Sequence, residues 1–188
     1  MSSRSERIIE KAFLGGEFLT WLWYACDQCD GRFQLGDDLI EVRFDDLLVL
    51  ESLLADSQEN TLKGGEPTQS AEARLGLQLG KKVSQAKLRL QRGEREYRFT
   101  IRGSTLDLGS TKLPAVLAKA EEEQFYERLY LLEELDRTVN ELYLAFLRRR
   151  LLPTWESETL PALRAWIASP SSPAADDLPS PSPAALTL

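Results

Sequence analysis

No histidine occurs anywhere in the 188-residue sequence. That absence excludes Ser-His-Asp and Cys-His catalysis, histidine metal sites and the HExxH zinc proteases. Cysteine is nearly as scarce: Cys26 and Cys29 are the only two, so one chain cannot assemble a four-cysteine zinc site. No apolar run reaches the roughly 18 residues that cross a bilayer. The opening residues, Met1 to Arg7, lack the continuous apolar core and small-residue cleavage site of a secretory signal. A cytoplasmic protein with no membrane partner is expected. The net charge of −7 argues against a protein that coats nucleic acid with its whole surface.

What is present is an ordinary globular composition, 43% hydrophobic and 28% charged, long enough to bury one core. A single domain is expected over residues 1–168. From Ser169 to Leu188 the chain turns to proline, serine and alanine with no aromatic residue. A disordered tail is expected there, because so little apolar surface cannot offset the entropy of ordering.

Hydrophobic periodicity predicts an α+β fold. An antiparallel β-sheet built of hairpins packs with an N-terminal tryptophan-rich helix and a long C-terminal helix. A first helix begins near Ser5 and is expected to break at Gly15-Gly16, since paired glycines weaken a helix interior. The segment Glu17–Cys26 carries Phe18, Leu19, Trp21, Leu22, Trp23 and Tyr24 on nearly every side, the pattern of a buried helix. Ile40, Val42 and Phe44 alternate with Glu41 and Arg43 in a strand, and Asp45-Asp46 is read as a turn into Leu47–Glu51. Ser70 is placed to cap a helix over Ala71–Leu79 that Gly80 closes.

The clearest hairpin follows. In Val83–Gln91, Ala86, Leu88 and Leu90 share one face; Arg92-Gly93-Glu94 turns the chain; in the return strand Tyr97, Phe99 and Ile101 share the apolar face. A short strand near Leu106–Leu108 extends the sheet. Ala115–Leu152 contains no glycine or proline and is read as one helix. Its stripe of Phe125, Leu129, Leu132, Val139, Tyr143 and Phe146 either covers the sheet or pairs with a second copy of the chain in a homodimer. A last short helix spans Leu160–Ala168.

Three groups of residues could carry chemistry. Cys26-Asp27-Gln28-Cys29 has the spacing of a redox dithiol or of half a shared zinc site. It ends a helix, however, whereas redox dithiols open one, and incidental thiols are the simpler reading. The carboxylates Asp37, Asp38, Asp45, Asp46 and Glu121–Glu123 could hold Mg²⁺, but they fall in predicted turns and on solvated faces with nothing to fix their spacing. Neither a catalytic site nor a cofactor is expected. The third group is a basic island. Arg74, Lys81, Lys82, Lys87, Arg89, Arg92, Arg95, Arg98 and Arg102 face only two acids, Glu94 and Glu96, in the same stretch.

By the two-residue period, Lys87, Arg89, Arg98 and Arg102 share the polar face of the hairpin, with Lys81 and Lys82 beside it. A ribbon bearing one sign of charge suits contact with phosphates. These six residues are the candidate contacts to duplex DNA. A face free of acids would favour DNA; cations each paired with a carboxylate would favour a protein-interaction module acting through the long helix without nucleic acid.

Several motifs occur in a familiar order: Phe13-Leu14-Gly15-Gly16-Glu17-Phe18-Leu19-Thr20-Trp21-Leu22-Trp23-Tyr24, Ile40-Glu41-Val42, Leu48-Val49-Leu50-Glu51-Ser52, Ser70-Ala71-Glu72-Ala73-Arg74, Gly80-Lys81-Lys82-Val83, Lys112-Leu113-Pro114 and Phe125-Tyr126-Glu127-Arg128. Over about residues 8–168 the chain resembles the C-terminal half of longer bacterial proteins of the RdgC-like, recombination-associated family. The resemblance implies a non-enzymatic, nucleoid-associated protein. Such a protein binds duplex DNA without sequence preference, forms a dimeric ring and restrains recombinase filaments. It transfers no DNA contact to a numbered residue; the basic hairpin is proposed from charge alone.

Overall fold

The computed structural model describes residues 4–52 and 59–169, with side chains from residue 14 onward. The expected tail therefore lies outside the described residues, apart from Ser169. The architecture is α+β. Helix α1 (Arg4–Cys29) is followed by β1 (Arg32–Leu35), β2 (Asp38–Glu51), β3 (Asn60–Lys63) and α2 (Ala71–Gln78). Next come β4 (Lys82–Arg92), β5 (Arg95–Arg102), β6 (Leu108–Lys112), α3 (Glu121–Arg150) and α4 (Leu160–Ala168). The six strands form one antiparallel sheet in the order β1-β2-β4-β5-β6, with β3 also on β2. None of the described helices is long and apolar enough to cross a membrane.

The inner face of the sheet is apolar because the strands alternate. Ile40, Val42, Leu48 and Leu50 of β2, Ala86, Leu88 and Leu90 of β4, and Tyr97, Phe99 and Ile101 of β5 are buried. They meet Phe18, Leu19, Leu22 and Trp23 of α1 and Leu131, Leu135, Leu142 and Phe146 of α3 in one core. Phe18 and Phe146 touch ring to ring at 5.7 Å, which joins the two helices over the sheet.

Helix α1 does not break at Gly15-Gly16. The glycines serve packing instead: a Cβ on Gly15 would lie 1.7 Å from the carbonyl oxygen of Gly103, in the loop after β5. One turn on, the Thr20 hydroxyl donates to the Gly16 carbonyl at 2.7 Å and accepts the Val83 N–H at 3.1 Å. Tertiary contact outweighs the local helix penalty.

Asp45-Asp46 makes no turn either. Strand β2 runs through it, and the pairing with β4 slips between Phe44 and Leu48, so that the extra residues bulge out of the ladder. The hairpin follows the expected alternation, with Arg92 opposite Arg95 and Leu88 opposite Phe99. Ser70 caps α2 by accepting the Glu72 N–H, and Gly80 follows it at φ +83°.

Helix α3 begins six residues later than expected. Absence of glycine and proline permits a helix without compelling one, and residues 115–120 stay non-helical. They are held by Glu127, whose carboxylate accepts the N–H groups of Leu117 (3.0 Å) and Ala118 (2.9 Å). These bonds hold the Glu127 carboxyl below its usual range. Only part of the expected stripe covers the sheet. Val139 and Phe146 are buried, but Phe125, Leu129 and Leu132 are exposed, as are Tyr126 and Tyr130. A helix of 30 residues is about 45 Å long, and the buried positions begin only at Leu131.

Helix α4 covers the expected residues and is pinned by a buried arginine. The Arg74 guanidinium lies 3.9 Å from the ring centroid of Trp166. It donates to the Trp166 carbonyl at 3.0 Å and to Asp27 at 2.9 Å, and the Trp166 indole donates to the same carboxylate. One residue thus ties α2 to both α1 and α4.

Candidate nucleic-acid interface

The outer face of the sheet carries the residues that alternate with the core. Arg43 on β2 stands opposite Arg89 on β4. Arg89 stands opposite Arg98 on β5, and Arg98 opposite Lys112 on β6. Four cations therefore form one row across four neighbouring strands, about 4.8 Å apart in the pairing direction and spanning about 14 Å. Like charges directly opposite one another destabilise a sheet, so the row has an electrostatic cost.

Acids on either side reduce that cost. Glu41 accepts from Arg43, and its bond raises the Arg43 pKa. Glu96 accepts from Arg98 at 2.8 Å. Asp45, in the bulge, sits 3.6 Å from Arg89 and 3.8 Å from Lys87. Asp46 accepts from Lys87 at 2.8 Å; the bond raises the lysine pKa and lowers that of the carboxyl. The bulge thus delivers two carboxylates to the neighbouring strand's cations, which a regular strand could not do with adjacent residues.

The six candidate residues divide. Lys87, Arg89, Arg98 and Arg102 share the outer face. Arg102 is exposed and has no carboxylate partner among the described residues. Lys81 and Lys82 do not join them. The Lys82 ammonium lies 3.4 Å from Glu17 on α1 and the Lys81 ammonium bonds Asn60 on β3, which places both at the helical side of the fold. Arg43 and Lys112 complete the row in their stead. The alternation of Arg43 was visible in sequence; Lys112 lies in β6, which runs from Leu108 to Lys112 and not over the expected Leu106–Leu108, and the cross-strand register that aligns both with the row was not visible.

The remaining island residues are structural. Arg95 donates to Glu134 on α3 at 2.9 Å, Tyr97 bonds the same carboxylate, and Arg92 reaches Thr138 at 2.9 Å. These contacts fasten α3 to the hairpin.

The Cys26 thiol is not activated. Cys26 is half-buried and donates to the Val42 carbonyl at 3.4 Å; Cys29 donates to the Ala25 carbonyl at 3.0 Å. Burial, then the neighbouring Cys29 and Asp27, push the Cys26 thiol well up, and the C-terminal end of a helix disfavours a thiolate. Among the described residues no three His, Cys, Asp or Glu side chains are grouped to hold a metal ion. Asp38, Asp45 and Asp46 are engaged by Arg92, Arg89 and Lys87.

No protein-family model matches the sequence, and no curated protein matches it.

Proposed function

We propose that this chain is a non-enzymatic protein that binds duplex DNA through its phosphate backbone, without sequence preference, at the outer face of the sheet. The observation that carries the reading is the row Arg43–Arg89–Arg98–Lys112, with Lys87 and Arg102 on the same face. Side chains along a row on one face can reach successive phosphates, and no base-reading group is required. The interleaved acids weigh toward a protein-interaction role, but they do not block the face. Exposed ion pairs are worth only about 0–1 kcal/mol, so a phosphate can replace a carboxylate. Arg102 has no carboxylate partner among the described residues, and of the ion-paired arginines in the row Arg89 is held most loosely, its carboxylate 3.6 Å away. The motif order that resembles the RdgC-like family supports the same reading and suggests a nucleoid-associated role in recombination.

Affinity for a labelled duplex, followed by anisotropy against salt, tests this. Arg89→Ala with Arg98→Ala should weaken binding equally for different sequences of one length. It should reduce the log–log salt slope by about one to two units, since each phosphate contact contributes about 0.9. Absence of binding by the parent at low salt would remove the DNA reading, and an unchanged slope would remove this face from it.

A second reading, compatible with the first, is self-association through the first half of α3. Phe125 and Tyr126 are 62% and 60% exposed, and Leu129 and Tyr130 lie on the next turn; an apolar patch of this kind marks an interaction surface. A second copy in antiparallel alignment about Leu129 would bring the two patches together, with Glu121 of one helix beside Arg137 of the other and Glu122 beside Asp136. Leu129→Glu should convert a dimer into a monomer by light scattering while the circular dichroism spectrum stays unchanged. A parent that is monomeric at every concentration tested would overturn this reading.

A further inference from the structure

The pairing of β2 with β4 is uneven at the outer face. Phe44 stands opposite Leu88 and Leu48 opposite Ala86, so three residues of β2, Asp45, Asp46 and Leu47, confront one of β4, Lys87. A regular ladder would set a single residue there, and successive side chains would point to opposite faces. The slip brings both carboxylates to the Lys87 ammonium instead, Asp46 at 2.8 Å and Asp45 at 3.8 Å. The backbone of the bulge is itself held, since the Asp46 carbonyl accepts the Gly64 N–H at 2.8 Å. Other cations of the face are held more simply. Arg98 and Arg43 each donate to one acid two residues back on their own strand, Glu96 and Glu41.

We propose, resting on the reading of this face as a phosphate-binding surface, that the Asp45-Asp46 bulge masks Lys87, so that the face engages duplex DNA with one cation fewer than it displays. A phosphate that takes Arg98 displaces one carboxylate. One that takes Lys87 must displace two, presented by a fixed backbone. Lys87 and Asp46 also hold each other in their charged forms. Asp45 is shared with Arg89, but at 3.6 Å; Arg89 therefore stays available while Lys87 is committed. Each phosphate contact adds to affinity and to its dependence on salt. A masked lysine thus makes the complex weaker, less salt-sensitive and more readily released.

Anisotropy of a labelled duplex against salt, with the full chain, tests the mask. Asp46 is exposed, so Asp46→Asn keeps the shape of the bulge while freeing Lys87. It should tighten binding by about threefold or more at low salt and steepen the log–log salt slope by about 0.9, the contribution of one phosphate contact. Asp46→Asn combined with Lys87→Ala removes the pair at constant net charge. That variant should return to the parent's slope, with affinity within about twofold of the parent's. An Asp46→Asn slope equal to the parent's would overturn the mask. So would a double variant shallower than the parent by about 0.9, because Lys87 would then already touch a phosphate. Either result leaves the duplex reading standing, whereas a parent that binds no duplex at low salt removes both.

Discussion

Gly15→Ala is expected to destabilise the protein by about 3 kcal/mol or more, beyond the usual cost of overpacking because the obstructing atom is backbone. The added methyl would stand 1.7 Å from the Gly103 carbonyl oxygen and 2.4 Å from its carbon. Neither can rotate away, and Gly103 is itself fixed by its N–H bond to the Ser84 carbonyl at 2.8 Å. Helix and sheet would have to separate. Gly16→Ala is the control. Its methyl would meet the Lys82 Cβ at 3.3 Å, a tight contact offset by the gain of about 1 kcal/mol in helix propensity. That variant should remain within about 1 kcal/mol of the parent. Urea denaturation of both measures the difference, and equal midpoints would show that α1 does not approach the Gly103 loop so closely.

Trp23→Ala should cost about 3–5 kcal/mol. The ring is 1% exposed. It meets Trp166 edge-on at 5.2 Å and Arg74 at the same distance, so its loss opens a cavity beneath the residues that hold α4. Trp21 is only partly buried, and Trp21→Ala should cost roughly half as much by the same reasoning. Trp23→Phe offers a finer check. The Trp23 indole N–H is buried with no partner among the described residues, and phenylalanine removes that orphan donor along with some volume. It should lose far less than alanine. A thermal melt in which the alanine and phenylalanine variants coincide would contradict the burial described.

The parts of the fold that local pattern governs were legible in the sequence. The β4–β5 hairpin follows from strict alternation, and α2 from Ser70 and Gly80 at its ends. What was not legible depends on partners distant along the chain. Gly15-Gly16 reads as a helix break until Gly103 is known to press against it. The spacing of Phe125, Leu129 and Leu132 is helical, but spacing does not tell where along α3 the sheet begins. The basic island looked uncompensated because its acids lie elsewhere: Asp46 is 41 residues from Lys87, Glu17 is 65 from Lys82, and Glu134 is 39 from Arg95. Charge counted in a window cannot detect them. The face shared by Lys87, Arg89 and Arg98 was legible; the alignment of Arg43 and Lys112 with it was set by register.

The flanks of the sheet limit how the molecule can meet others. On one flank β2 is paired by two separate strands of 4 residues each, β1 and β3, and on the other β6 has 5. A visiting strand needs a long, straight run of free amide and carbonyl groups to add to a sheet, and short terminal strands deny it one. Main-chain annexation, the usual route by which β-proteins aggregate or swap segments, is therefore poorly served here. Association falls to side chains, which salt, charge reversal and single substitutions can tune.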